Sequence, residues 1–308
     1  YSGGLEKIRN QVKAKNVKWD VVDMGLSNAV RGCEDGLLEK IDHEKLLGSS
    51  AVNDFRDGML PDCAVGQNVF SNVVAYDQES FSGMSAPDSA QDFFDTKTYS
   101  GQRGMRQNPR GNLELALIAD GVEPDRVYEV LGTEEGVDRA FSKLRNIAPS
   151  ITWWDGPEDP QLMLKRDQVA MTTAYNARMQ AAIDNDGQPF KIIWDGQTYD
   201  YELWTIVKGT RHLEEAKTFI EFASKPKRLA DQANVIPYGP ARQSALEMVD
   251  QETRMKLPTA PKNLESAVRI NHEWWADNQE RLNERFQAFV TESKDMGADD
   301  TFGVGTPR

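Results

Sequence analysis

The chain is poor in the residues on which most catalysis and metal binding depend. Its 308 residues include two cysteines and three histidines. His43, His212 and His272 stand in unrelated segments. No Gly-x-Ser-x-Gly elbow, P-loop, His-Glu-x-x-His pair or Gly-rich dinucleotide fingerprint occurs. Carboxylates are so abundant that no pair of them stands out as an acid–base couple. The chain is therefore expected to be no enzyme and to need no cofactor. A zinc site is not expected either, because no histidine or second cysteine pair stands at ligand spacing. Positive charge is scarce: 36 Lys and Arg against 49 Asp and Glu give a formal net charge of -13. That argues against nucleic acid, whose phosphates need clustered cations. No run of 18 apolar residues is present, which excludes a spanning helix. The chain opens on Tyr1-Ser2-Gly3-Gly4 without an apolar stretch, so no secretory signal is contained in it.

What is present is enough for a large core and for two domains. Hydrophobic residues make up 39 % and charged residues 28 %, an ordinary globular balance. Acidity of this size suits a cationic ligand, since a negative field concentrates cations, although it serves solubility equally well. Cys33 and Cys63 both stand in polar, turn-like settings. An even count in such surroundings suggests a disulfide and an oxidising compartment, with two free thiols as the alternative.

Apolar Leu5, Ile8 and Val12 predict a helix over 4–15. A buried strand over 19–22 follows, then a short helix over 26–31 ending near Gly32. Asp23 stands at the end of that strand, where ligands sit in open α/β sheets. Further strands are expected over 65–76, 102–106, 150–154, 169–173, 190–194 and 203–207. Helices are expected over 112–119, 134–147, 160–165, 174–183, 213–223, 226–233 and 278–291. Alternating strands and helices indicate mostly parallel α/β sheets. Residues 80–89 form a Ser/Gly/Pro-rich loop, and the tail from Met296 is expected to be flexible.

In their order and spacing, several segments resemble the extracellular solute-binding proteins of ABC importers, in the spermidine/putrescine-type group. They are Ser2-Gly3-Gly4-Leu5-Glu6-Lys7-Ile8, Trp19-Asp20-Val21-Val22-Asp23, Arg31-Gly32-Cys33-Glu34-Asp35-Gly36-Leu37 and Glu39-Lys40-Ile41-Asp42. Ala174-Tyr175-Asn176, Trp194-Asp195-Gly196-Gln197 and Ile236-Pro237-Tyr238-Gly239-Pro240 continue the series. The resemblance implies a two-lobed periplasmic-binding-protein fold of type II with ligand in the interlobe cleft. Residues 1–75 and 205–308 would form one lobe and 76–204 the other, with binding coupled to hinge closure. It also implies a monomer exported to the periplasm, a signal peptide outside this chain, and an ABC permease in the inner membrane as partner. Family members carry a strand and loop upstream of the Ser-Gly-Gly helix, so some ligand contacts are expected outside this sequence.

A cleft for an alkylammonium ion needs carboxylates for charge and aromatic faces for methylenes. Tyr199-Asp200-Tyr201-Glu202-Leu203-Trp204 supplies both. By the resemblance, Glu202 pairs with a ligand amine, helped by Asp23 or Asp200. Trp154, Tyr175 and Tyr238 would form an aromatic wall, with Asn176 beside Tyr175. Trp154 is preferred over Trp153 because neighbouring strand residues face opposite ways. Ser27, Ser71 and Asn72 would add hydrogen bonds. Trp274 and Trp275 are read as packing residues. Where polyamine binders place distal carboxylates, this chain has Asn108 and Gly111, with Arg106 or Arg110 as a candidate cationic pole. That departure brings a monocation or zwitterion, such as an amino acid derivative or a betaine, beside a polyamine as the ligand. A metal or other small-ligand binder without transport and a ligand-sensing receptor module are the remaining rivals.

Overall fold

The computed structural model describes residues 4–299. Its strands are β1 (Val21–Gly25), β2 (Ala64–Asp77), β3 (Arg103–Arg106), β4 (Ile151–Trp154), β5 (Met171–Tyr175), β6 (Phe190–Ile206), β7 (Gly239–Pro240) and β8 (Val268–Arg269). Helices surround them. Among the described residues no helix is long and apolar enough to cross a membrane.

The chain divides into two compact units. The first takes residues up to Phe70 with Asp200–Ala260; the second takes Ser71–Tyr199 with residues from Pro261 onward. β2 and β6 each run through a boundary, at 70/71 and 199/200. β6 is one strand of 17 residues, where the sequence predicts two.

In the first unit β1 pairs antiparallel with β6, Val21 opposite Ile206 through to Gly25 opposite Glu202. β2 pairs antiparallel with β7, Asn68 opposite Pro240. These pairings correct the expectation of a mostly parallel sheet. The reason lies in the connections: β6 enters this unit as an uninterrupted strand, without the crossover helix that a parallel neighbour needs. Helix Leu26–Glu34 runs on through Gly32, which serves close packing here and does not stop the helix. A Cβ there would lie 3.0 Å from Leu38 and 3.1 Å from Leu5. Cys33 and Cys63 are joined in a disulfide with Cα atoms 5.6 Å apart, which removes the free-thiol alternative. Closing the 30-residue separation contributes about 3.5 kcal/mol in the loop-entropy model.

In the second unit β3 is parallel to β4 and to β5, while β5 pairs antiparallel with β2 and β8 lies parallel to β6. The helices Asn112–Ala119 and Glu134–Arg145 cover this sheet with a core that includes Met105, Leu113, Leu117, Phe141 and Leu144. The long helix His272–Asp299 buries Trp275, Leu282, Phe286 and Phe289 in the same core. Residues from Pro261 therefore pack with the second unit, which corrects their expected place in the first lobe. Phe141 meets Phe286 and Phe289 at ring-centroid distances of 6.2 and 6.0 Å, a tie worth more to helix placement than sequence proximity. Met296 belongs to this helix, and the rest of the expected flexible tail, beyond residue 299, lies outside the described residues.

One buried cation supports the second unit's edge. Arg103 is fully buried and donates from Nε to Phe93 O at 2.8 Å and from Nη1 to Gly101 O at 2.7 Å. Its Nη2 donates to Tyr99 O and, at 3.4 Å, to Asp95 O. Burial lowers its pKa to about 10.

Candidate ligand-binding site

The second unit gathers functional side chains at one place by simple strand geometry. β3, β4 and β5 run parallel, and their last residues are Arg106, Trp154 and Tyr175. Ligands in open α/β sheets sit outside the carboxyl ends of parallel strands. Arg106 and Trp154 are cross-strand partners, so their side chains share a face. The Arg106 guanidinium lies 5.5 Å from the Tyr175 ring centroid and 6.0 Å from that of Trp154. The two rings meet edge to face at 6.2 Å. Trp153, on the opposite face, packs against Phe286 and Phe289 and donates its indole N–H to Ser293 Oγ at 2.8 Å. The alternation argument thus selects Trp154 for this corner.

A small cavity opens beside it, lined by Asn72, Arg106, Arg110, Thr173 and Thr198 among others, with two arginines and no carboxylate in its wall. Asn72 comes from β2, opposite Tyr175. Thr173 Oγ1 accepts from the Arg106 backbone N–H at 3.3 Å. Arg106 Nε, Trp154 Nε1 and Thr198 Oγ1 are buried without a protein partner. Buried donors left unpaired are costly, and a ligand acceptor is the natural relief. Asn176 is engaged elsewhere. Its Oδ1 accepts from the Ser71 backbone N–H at 3.0 Å, fastening a helix start to β2. It does not line the cavity.

The turn between β3 and the helix Asn112–Ala119 forms one wall. Asn112 Nδ2 donates to Arg106 O at 2.7 Å and to Asn108 O at 2.8 Å. Asn108 Oδ1 accepts from the Arg110 backbone N–H at 2.9 Å. Gly111 adopts a φ of 88°, and a Cβ there would stand 3.3 Å from Thr198 Oγ1 and 3.6 Å from Asn72 Nδ2, against the cavity wall. Glycine suits both requirements.

The first unit carries an acidic site. Along β1 the burial alternates, so Val22 and Met24 turn inward and Asp23 faces the other way. Asp23 is opposite Trp204, and Gly25 is opposite Glu202. Glu202 thus has no side chain in front of it and sits diagonal to Asp23 on one face. The two carboxyls are electrostatic neighbours, and the charge of Asp23 disfavours ionisation of Glu202. Burial, then the neighbouring charge of Asp23, pushes Glu202 up to about 8. Burial likewise raises Asp23, opposed by its hydrogen bond to Glu202. Asp200, two residues along β6, adds to the negative potential at Glu202 while its Oδ1 accepts from the Tyr201 backbone N–H at 2.8 Å. A polar cavity is lined by Asp23, Glu202, Gly25, Met24, Asn28, Leu5 and Gly4.

Of the residues singled out in the sequence, the structure brings Trp154 and Tyr175 together beside Arg106, and puts Asn72 in the wall of the first cavity and Asp23 and Glu202 in the wall of the second. Asp200, Ser27 and Tyr238 line neither cavity. Asn28, Asn112, Thr173 and Thr198 were not anticipated. Thr173 and Thr198 carry no local sequence signal, whereas Asn28 follows Ser27 directly on the same helical turn.

Comparison with known proteins agrees with this architecture. Residues 1–259 match the family model described as bacterial extracellular solute-binding protein. The gamma-aminobutyric acid-binding protein of Pseudomonas aeruginosa is 39 % identical over 290 residues, covering 94 % of this chain and 81 % of that protein. An ABC transporter substrate-binding protein from Bradyrhizobium japonicum is 31 % identical with a TM-score of 0.84, covering 94 % of this chain and 88 % of that one. The spermidine/putrescine ABC transporter substrate-binding protein of Streptococcus pneumoniae is 16 % identical with a TM-score of 0.71, covering 92 % and 88 %, a likeness of fold alone. The first is named for binding gamma-aminobutyric acid and the other two as substrate-binding proteins of ABC transporters.

Proposed function

We propose that this chain, which belongs to the bacterial extracellular solute-binding protein family and serves as the substrate-binding component of an ABC transporter, captures a small zwitterionic amine of the 4-aminobutyrate type. The observation that carries this reading is the Arg106 corner. A guanidinium framed by two aromatic rings, with unpaired donors nearby and no carboxylate in the cavity wall, calls for an anionic acceptor. A ligand carboxylate supplies one. Asn72, Thr173 and Thr198 add hydrogen bonds to it.

The first unit's own acidic cavity, with Asp23 and Glu202 in its wall, suits an ammonium group. Asp200 and Asn176 act as supports. At the Arg106 corner a polyamine fits less well, because an ammonium there would meet the guanidinium's charge. The Pseudomonas aeruginosa relative's named ligand supports the zwitterionic reading. Other amino acid derivatives and betaines share that chemistry. We further propose capture by hinge closure about β2 and β6, by a monomer in the periplasm that delivers its ligand to an inner-membrane permease.

Isothermal titration with 4-aminobutyrate tests the reading. Saturable binding with one site per chain is the expected result. No heat with 4-aminobutyrate or any other amino acid would overturn it.

A further inference from the structure

Glu114 is a fully buried carboxyl in an otherwise apolar helix, Asn112-Leu113-Glu114-Leu115-Ala116-Leu117-Ile118-Ala119. Burying an acid is costly unless every lone pair is used. Here three donors, from three directions, fill most of its roughly four lone-pair sites. Oε2 accepts from the Gly111 backbone N–H at 2.8 Å. Oε1 accepts from the Tyr128 hydroxyl at 2.7 Å and from the Trp275 indole N–H at 2.7 Å. Burial pushes this carboxyl up, and those donors oppose the shift. Glu114 also stands in the first turn of its helix, where the dipole favours negative charge.

The partners connect the core to the cavity wall. Gly111 lines the cavity. Trp275 carries the Arg110 guanidinium over its ring at 5.4 Å, and Arg110 Nη2 donates to Gln279 Oε1 at 3.2 Å on the same long helix. Glu114 therefore grips the backbone of the 106–112 turn with one oxygen and, with the other, the ring on which Arg110 rests. We propose that Glu114 is a positioning residue that sets recognition of the ligand's carboxylate by holding this turn and Arg110 in place. The proposal rests on the carboxylate reading of the cavity.

Glu114→Gln keeps the shape but turns one acceptor into a donor. Either orientation of the amide sets a donor against a donor, at Gly111 N–H or at the Trp275 indole. The experiment compares 4-aminobutyrate with its carboxamide by calorimetry, in the wild type, Glu114→Gln and Tyr128→Phe. The wild type should prefer the acid by roughly tenfold or more. Glu114→Gln should cut that preference at least about fivefold while leaving affinity for the carboxamide within about twofold, and Tyr128→Phe should show a smaller loss in the same direction. A purely structural role would lower both affinities or only the melting temperature. An unchanged preference in folded Glu114→Gln overturns the proposal; should that variant not fold, an unchanged preference in Tyr128→Phe overturns it. A wild type without preference for the acid overturns the carboxylate reading itself, and this proposal with it.

Discussion

Arg106 and Tyr175 end neighbouring parallel strands and face each other with the guanidinium 5.5 Å from the ring centroid. The aromatic corner that would flank the methylenes of a polyamine is thus already occupied by a cation from the protein. On the proposed reading, this relationship makes the corner an anion site and no longer an amine site. It also makes the order of ligand preference testable.

Arg106→Gln should weaken 4-aminobutyrate by at least roughly tenfold, about 1.4 kcal/mol. Calorimetry on the folded variant checks this. Arg106→Lys should recover only part of the affinity, because an ammonium cannot offer two parallel donors to a carboxylate. Equal affinity in all three proteins would remove Arg106 from the site.

Glu202 gives a pH signature. Its folded-state pKa, about 8, lies above the ordinary 4.5 for glutamate. The folded protein then binds more protons than the unfolded chain between those values, and stability falls as pH rises through that window. Melting curves of the ligand-free wild type minus those of Glu202→Gln should show a difference that grows more unfavourable to the wild type from about pH 4.5 to about pH 8. A pH-independent difference would show that Glu202 titrates normally. The same variant should weaken ammonium ligands at least roughly tenfold.

Among the described residues Arg103 donates to four carbonyls and to no carboxylate, with Asp95 as a charge neighbour. Arg103→Met should leave those acceptors unpaired in the core and cost about 3 kcal/mol or more. Urea denaturation measures the loss. A cost below about 1 kcal/mol would mean that water replaces the guanidinium.

Elements with strong local patterning were legible in the sequence. The helix Asn112–Ala119 appears where its apolar run predicts it. Asp23 was legible as a candidate from its place at a strand end and Glu202 only through the family resemblance; that they share a face depends on the register of β1 against β6. Long-range consequences were not. Gly32 reads as a helix stop, yet its role depends on Leu5 and Leu38 packing over it. Strands are expected over 190–194 and 203–207, yet β6 runs through both, with Gly196 at a φ of 70° inside it. Residues from Pro261 onward gave no sign that their aromatic face belongs beside Phe141. Thr173, Thr198 and Glu114 became part of the candidate site only through strand register and core packing. A lone glutamate among leucines carries no hint that Tyr128 and Trp275 donate to it.

On the proposed reading the ligand presents one carboxylate and one ammonium. A thermal-shift comparison of three four-carbon compounds at equal concentration separates the possibilities: 4-aminobutyrate, 1,4-diaminobutane and butanoate. Stabilisation grows with ligand concentration relative to Kd. A large shift is expected with 4-aminobutyrate and small or no shifts with the other two. A larger shift with 1,4-diaminobutane would contradict it and return the protein to the polyamine binders.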